Sequence, residues 1–473
     1  MTYVTRISLL VVALALSAAT VLPAQTVAAL VRTPARGAAR AESARPEHSS
    51  VRFWQAVGDT TLERLLIEAL RANRDVAGAN ARLSSARAER FGATLDFAPA
   101  ITAVAGFSRQ RFANAAFPGG FDGGLPDQDV WDAGLNLSWE IDVFGRVRRS
   151  VQGRGELVGA AQEDVRDLEV LVAAQLAGAY FDLRGAQERL AVARRNAENQ
   201  RGTLELTRQR IEAGRGTELD SERARAQLSA TLAAIPTLEA AIAAAEHRIA
   251  VLAGRPPSSL EKLDDEAEPL ALPEPPALPR SDSVILSRPD VRSAERQLAA
   301  QAAFVGVAKK DYLPRLSIGG TAGYTGSNFE SLGGTGTPRY AIGPVLSWPA
   351  FDLGRVKAGV DAARAAEAEA RARYEQAVLR SIEETETAIT SYAKARERLQ
   401  HLEDAAAASE RAAELARLRF TEGASDFLQV LDAERSLLAA QDQLALGRTE
   451  ATIGLVALYR ATGGAVPITP APR

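Results

Sequence analysis

Two periodicities alternate along the chain. In the first, apolar and polar positions switch at every residue. Trp131, Ala133, Leu135, Leu137 and Trp139 face one way, and Asp132, Gly134, Asn136, Ser138 and Glu140 face the other. Leu316, Ile318, Ala322 and Tyr324 alternate with Ser317, Gly319, Thr321 and Thr325 in the same manner, and Tyr340, Ile342, Leu346 and Trp348 with Arg339, Gly343 and Ser347. Ile101–Phe107 follows the rule more loosely, because Val104 blurs it. Period two predicts strands with one wet and one apolar face, at about 100–112, 130–140, 315–325 and 339–348. The second periodicity is helical. Val165, Leu168, Val172, Leu176, Ala179, Leu183, Ala186, Leu190 and Ala193 recur at steps of three and four, a coiled-coil-like pattern in which small Ala residues allow close approach. It predicts long helices over about 146–213 and 355–422, with a Gly turn after each and a further helix over 217–254 and 425–462. Helical stretches at 59–97 and 282–312 precede the strands. Some 68 residues of continuous helix would span roughly 100 Å. Residues 73–98 and 217–254 together nearly equal one such helix and could run end to end beside it. Pro236 predicts a kink in 217–254.

The chain is written twice. Leu137-Ser138-Trp139 recurs as Leu346-Ser347-Trp348, Gly145-Arg146-Val147 as Gly354-Arg355-Val356, and Glu188-Arg189-Leu190 as Glu397-Arg398-Leu399. Gly214 matches Gly423 and Gly254 matches Gly463, all at a spacing of 209. Upstream, Asp75-Val76 matches Asp290-Val291 and Pro99 matches Pro314 at a spacing of 215, so the difference of six falls in the loop between the first two strands of each copy. The organisation expected is a first repeat over 51–254, a Pro-rich linker over 255–280, a second repeat over 281–464 and a short tail, 465–473.

Trp131 and Trp139 are eight residues apart, as are Tyr340 and Trp348. At a strand tilt near 40° this corresponds to about 20 Å of height, close to the lipid-facing band of an outer-membrane barrel with an aromatic girdle at each edge. A soluble β-sandwich would need a second sheet to cover the apolar face, and no further strands are predicted. Four strands cannot close a barrel, since the smallest spanning barrels have about eight, so the chain must oligomerise; three copies would supply twelve. A solid coiled-coil rod fits the helices alone, but a wet-inside barrel continues more naturally into a hollow helical tube.

Composition narrows the class. Of 473 residues 46% are hydrophobic and 24% charged, and the net charge is −3, which excludes a disordered chain and argues against nucleic acid as a partner. Cysteine is absent, so there is no thiol chemistry and no lipid anchor on a Cys. Arg6 followed by an apolar run to about Leu22 and small residues through Ala29 reads as a secretory signal peptide, 1–29, with cleavage after Ala24 or Ala29; it is short for a membrane span. Residues 30–50 read as a flexible leader. After the signal, no apolar stretch reads as a spanning helix, so membrane entry is expected through strands. His48, His247 and His401 are far apart without ligand spacing, no phosphate-binding glycine loop is present, and Glu383, Glu384 and Glu386 are expected on a solvated face. No enzyme activity, metal or cofactor is expected.

Trp139-Glu140-Ile141-Asp142 with Phe144-Gly145-Arg146, Phe351-Asp352-Leu353-Gly354-Arg355, and the run Arg419-Phe420, Gly423, Asp426-Phe427-Leu428, Val430-Leu431-Asp432-Ala433-Glu434-Arg435 resemble the TolC-like outer-membrane factor family of tripartite efflux pumps, closest to its multidrug-efflux lipoprotein branch. The resemblance covers roughly 51–464. It implies an α+β membrane protein: a trimeric twelve-stranded β-barrel, four strands per chain, continued by a long periplasmic α-helical barrel. It further implies that substrate arrives from an inner-membrane pump through a periplasmic adaptor. The turns at Gly214 and Gly423 would then be the tips facing the adaptor. Leu428, Asp432 and Arg435, at i, i+4 and i+7 on one helix face, would form the closed gate, with Arg223 as a salt-bridge partner for Asp432. Trp131, Trp139, Tyr340 and Trp348 would form the lipid-facing girdle. A duct for type I protein secretion shares this fold; a trimeric coiled-coil surface adhesin would place its strands at one end of the chain instead.

Overall fold

The computed structural model describes residues 53–55, 57–113, 126–259 and 282–464. The signal segment, the leader, most of the Pro-rich linker and the tail lie outside these residues, as does most of the loop after the first strand. The order of elements is α1 (Thr60–Ala72), α2 (Arg74–Leu95), β1 (Ala100–Gln110), β2 (Gln128–Ile141), α3 (Arg146–Glu212), α4 (Glu218–Leu252), α5 (Asp282–Ser287), α6 (Pro289–Lys310), β3 (Arg315–Gly326), β4 (Pro338–Ser347), α7 (Leu353–Thr421) and α8 (Phe427–Ala461). Two compact units result. The first takes in Ala86–Val158 and Leu298–Ala370, and the second the other described residues.

The first unit holds a four-stranded antiparallel sheet in the order β1-β2-β3-β4. The two hairpins share one register: Ala100 pairs with Ser138, and Arg315, 215 residues on from Ala100, pairs with Ser347, 209 on from Ser138. The strand bases are tied to the preceding segments by equivalent bonds. Trp139 Nε1 donates to the Phe97 carbonyl at 2.9 Å, and Trp348 Nε1 to the Tyr312 carbonyl at 3.0 Å. Each indole thus satisfies its one donor while its ring stays on the apolar face.

The second unit is helical. Its core joins Phe53, Trp54, Leu62, Leu66, Tyr180 and Tyr459, with Trp54 fully buried among Phe53, Phe181 and Tyr459. Asp59 caps α1 by accepting from the Thr61 and Leu62 amides, and its second oxygen accepts the Tyr180 hydroxyl at 2.6 Å. Burial, with that carboxylate beside it, pushes the Tyr180 phenol up.

Two local expectations are corrected. The stretches 59–97 and 282–312 are each two helices, broken at Asn73 and Arg288. Asn73 caps α2 through the Asp75 and Val76 amides and donates from Nδ2 to the Leu252 carbonyl at the end of α4. Arg288 donates to the Ala461 carbonyl at the end of α8. Asn73 thus ends one helix and caps the next, whereas Arg288 only donates, and the break there falls at the residue before Pro289, the first of α6. α4 is one continuous helix through Pro236, where the kink was expected. Ile235 and Leu238 hold it against Leu190 and Ala193 of α3, so packing carries the helix past the missing N–H. Secondly, α4 is long and apolar enough by length and composition to cross a membrane, although no such stretch was expected. Its Ala-rich sequence produces the signal, but its contacts with α3, including the Arg194–Glu239 pair at 2.8 Å, are those of a bundle helix.

Candidate channel wall and helical tip

Residues that pair across antiparallel strands share a face, so the register sorts every strand position. Phe107, Trp131 and Gly326 line up, as do Ala103, Leu135 and Ala322, then Tyr340. One face therefore carries Trp131, Leu135, Trp139, Ile318, Ile342 and Leu346, with Tyr340 at its edge and Trp348 one residue past the end of β4. Much of it is open: Tyr340 is 85% exposed, Ile342 70% and Leu346 69%. Trp131 is half-buried between Phe107 and Phe329, with ring centroids 4.7 and 5.5 Å away. Beyond Phe107 and Trp131 the chain turns charged, with Arg109 and Arg111 pairing with Asp127 and Asp129. A continuous exposed apolar face that ends abruptly in ion pairs is unlike the surface of a water-soluble sheet.

The opposite face is built from Gly, Ala, Ser, Thr, Asn and Val, with few charges. Gly134 and Gly323 face each other, and a Cβ on Gly134 would come within 2.6 Å of the Ala322 carbonyl oxygen. Over this floor Arg339 reaches from β4 across β3 to Asp132 on β2. Nε lies 2.9 Å from Oδ1 and a terminal nitrogen 2.7 Å from Oδ2, while Thr325 donates its hydroxyl to Asp132 at 2.8 Å. At the strand bases Glu140 takes a two-pronged bond from Arg146 at 2.8 and 2.6 Å, and Arg315 pairs with Asp311 at 2.6 Å.

In the second unit α3, α4, α7 and α8 meet near the turns that follow the long helices. Leu204, Ala224, Phe420, Phe427, Val430 and Leu431 form the local core, capped by the Arg210 guanidinium 4.0 Å above the Phe420 ring. Gly214 (φ 70°) and Gly423 (φ 78°) both adopt the left-handed conformation. In each the next amide bonds back to the last turn, Arg215 N to Arg210 O and Ala424 N to Arg419 O, both at 2.8 Å, the Schellman way of ending a helix. Leu428, Asp432 and Arg435 lie on the exposed side of α8 and Val430, Leu431, Glu434 and Leu437 on its buried side. The structure does not bring Arg223 to Asp432 within one chain. Arg223 lies 4.0 Å from Asp220, one turn away on its own helix, which is the nearer carboxylate.

The buried side holds a residue that the sequence reading passed over. Glu434 is 2% exposed and accepts from Arg417 Nε at 2.9 Å and from the Thr203 hydroxyl at 2.8 Å, linking α8 to both α7 and α3. Its position in the three-and-four ladder of Phe427, Val430, Leu431 and Leu437 was the available signal. Glu384, expected on a solvated face, keeps its side chain 41% exposed and also pairs with buried Arg288 at 2.7 Å, which holds Asp290 as well. Beside them Asp167 lines a cavity of about 120 Å³ with Arg288, Asp290 and Arg460. Partial desolvation, then the Asp290 carboxylate, push Asp167 up to about 6 against the pull of Arg288, although one side of the residue stays open to solvent. Among the described residues no group of carboxylates and histidines could hold a metal ion.

An open-edged strand unit with segregated faces, joined in one chain to long helical hairpins, defines a membrane channel of the outer-membrane type. The family model for outer membrane efflux protein matches residues 65–255 and 281–464, and the chain belongs to that family. It is an outer-membrane protein of a family of efflux channels rather than enzymes. It is 31% identical over 428 residues to the pyoverdine export outer membrane protein OpmQ of Pseudomonas aeruginosa, covering 89% of each chain. It is 28% identical over 413 residues to the toluene efflux pump outer membrane protein TtgF of Pseudomonas putida, covering 87% of this chain and 85% of the relative. Among solved structures the outer-membrane channel OprN matches with a TM-score of 0.80 and 41% identity, over 87% of this chain and 92% of that one.

Proposed function

We propose that three copies of this chain form the passive exit duct of a tripartite efflux system for small molecules. The observation that carries this reading is the four-stranded sheet. It has unpaired edges at β1 and β4, one apolar and one polar face, and too few strands to close alone. Three copies give twelve strands, with the polar faces inward and the apolar faces on lipid. Trp131 and Tyr340 then mark one edge of the lipid band, Trp139 and Trp348 the other. The long helices stand in the periplasm, and the turns at Gly214 and Gly423 meet an adaptor that links the duct to an inner-membrane pump. The relatives named for pyoverdine export and toluene efflux support a small-molecule cargo.

The gate in this reading is the exposed side of α8. Leu428, 54% exposed in the single chain, becomes a ring of three apolar side chains, followed by rings of Asp432 and Arg435. Arg223 reaches Asp432 only between copies, in competition with Asp220. Exposed pairs of this kind contribute about 0–1 kcal/mol each, so an adaptor could release them easily. Single-channel conductance in planar bilayers tests the assignment. Leu428→Ala combined with Asp432→Ala should conduct far more than wild type without adaptor. A double variant as closed as wild type would place the gate elsewhere.

A further inference from the structure

The polar face of β1–β4 carries its charges at only two levels. At the strand bases Glu140 and Arg315 are each held by a partner on the adjoining segment. Eight residues along β2 from Glu140, on the loop side, stands Asp132, bound by Arg339 and Thr325. Between these levels the face is made of Gly, Ala, Ser, Thr, Asn and Val. Neither charge of the pair is buried, since the Asp132 side chain is 32% exposed and that of Arg339 37%. The fold goes to some length to join them. Arg339 is directly opposite Gly323, not Asp132, and crosses β3 to reach β2. Gly323, the residue opposite it, has no side chain to stand between them. Thr325, directly opposite Asp132, accepts from Arg339 Nε at 2.8 Å and donates to Asp132, so it touches both charges. The two-pronged geometry fixes both charges more firmly than a single contact would.

We propose that Asp132 and Arg339 are the selectivity pair of the strand-lined duct: they cancel one another on its wet wall, so that solutes of either charge pass. The inference rests on the reading of this face as the lumen. In a trimer, three neutral pairs ring the outer part of the passage. A lone Asp132 or Arg339 would instead make a ring of three like charges, and a ring of one sign in a confined aqueous passage attracts counter-ions and repels co-ions. The cargo class this passage suits is small molecules of mixed charge, anionic, cationic and neutral alike.

The absence of native cysteine gives a direct test. Asn136→Cys places one thiol on the polar face, four residues deeper along β2 than Asp132. Intact cells are treated from outside with two membrane-impermeant thiol reagents of equal size, one cationic and one anionic, so the measurement does not depend on the gate. In the Asn136→Cys background the two rates should be similar. Adding Asp132→Asn should favour the anionic reagent by about three- to tenfold at ~0.01 M salt, and the preference should shrink as salt rises. Adding Arg339→Gln should favour the cationic reagent, and the Asp132→Asn, Arg339→Gln combination should restore parity. An unchanged ratio in both single variants, with normal trimer levels, overturns the proposal. If Asn136→Cys reacts with neither reagent while the protein is assembled, the lumen reading itself fails, and the pair has no passage to govern.

Discussion

Glu434 shows how much one residue can carry that its neighbours in sequence do not. It sits between Asp432 and Arg435, yet those are exposed while its own side chain is enclosed by Arg417 and Thr203. Removing one partner of an enclosed ion pair strands the other, at a cost of about 3–5 kcal/mol when the remaining charge is fully buried. Arg417 is about one-third exposed, so Glu434→Ala should fall at or below the low end, and Glu434→Gln, which keeps an acceptor for Thr203, should cost less. Thermal unfolding of the purified protein measures both. Equal midpoints for the two variants and wild type would show that the pair contributes nothing. Residues of this kind are hard to read from sequence. Asp432 and Glu434 have the same chemistry, and only the weak signal of the apolar ladder Phe427, Val430, Leu431 and Leu437 separates the enclosed one from the exposed one. Asp132 and Arg339 were legible as members of the wet face, but not as a pair, because a whole strand, β3, and 207 residues separate them.

At the scale of elements, the strands were the most legible part. Alternation fixes which side chains share a face, and the hairpins pair as that alternation requires. The helix boundaries were legible in part: a helical piece starting at 73 was expected, whereas the break before Pro289 was passed over although proline disfavours helix at the residue preceding it. The glycines separate two demands that sequence merges. Gly423 and Gly254 both have positive φ, at 78° and 73°. At Gly423 a Cβ would meet only an Arg210 nitrogen 3.9 Å away, whereas at Gly254 it would overlap the Ala72 carbonyl. Gly423→Ala should therefore cost about 1–2 kcal/mol of backbone strain and leave assembly intact. Gly254→Ala adds a backbone collision and should lower the yield of folded protein sharply. Unfolding midpoints and the recovery of oligomer on gels decide this; equal losses would mean that strain alone governs both turns.

For the molecule as a whole, the prediction that reaches furthest concerns Leu135. It lies midway along β2 between Trp131 and Trp139, on the apolar face and away from the ion pairs of the loop end. Leu135→Arg should cost about 2–4 kcal/mol per strand at the middle of a bilayer, three times over in a trimer, and suppress insertion into the outer membrane. Normal amounts of the inserted variant would show that this face does not meet lipid. The same face has an optical consequence. Three of the four tryptophans, Trp131, Trp139 and Trp348, belong to it or to its end, while Trp54 is fully buried in the helical unit. In vesicles whose acyl chains carry bromine, a contact quencher, the emission of the protein should dim but not vanish. The glow that remains should come from Trp54, and Trp54→Phe should leave the inserted protein nearly dark.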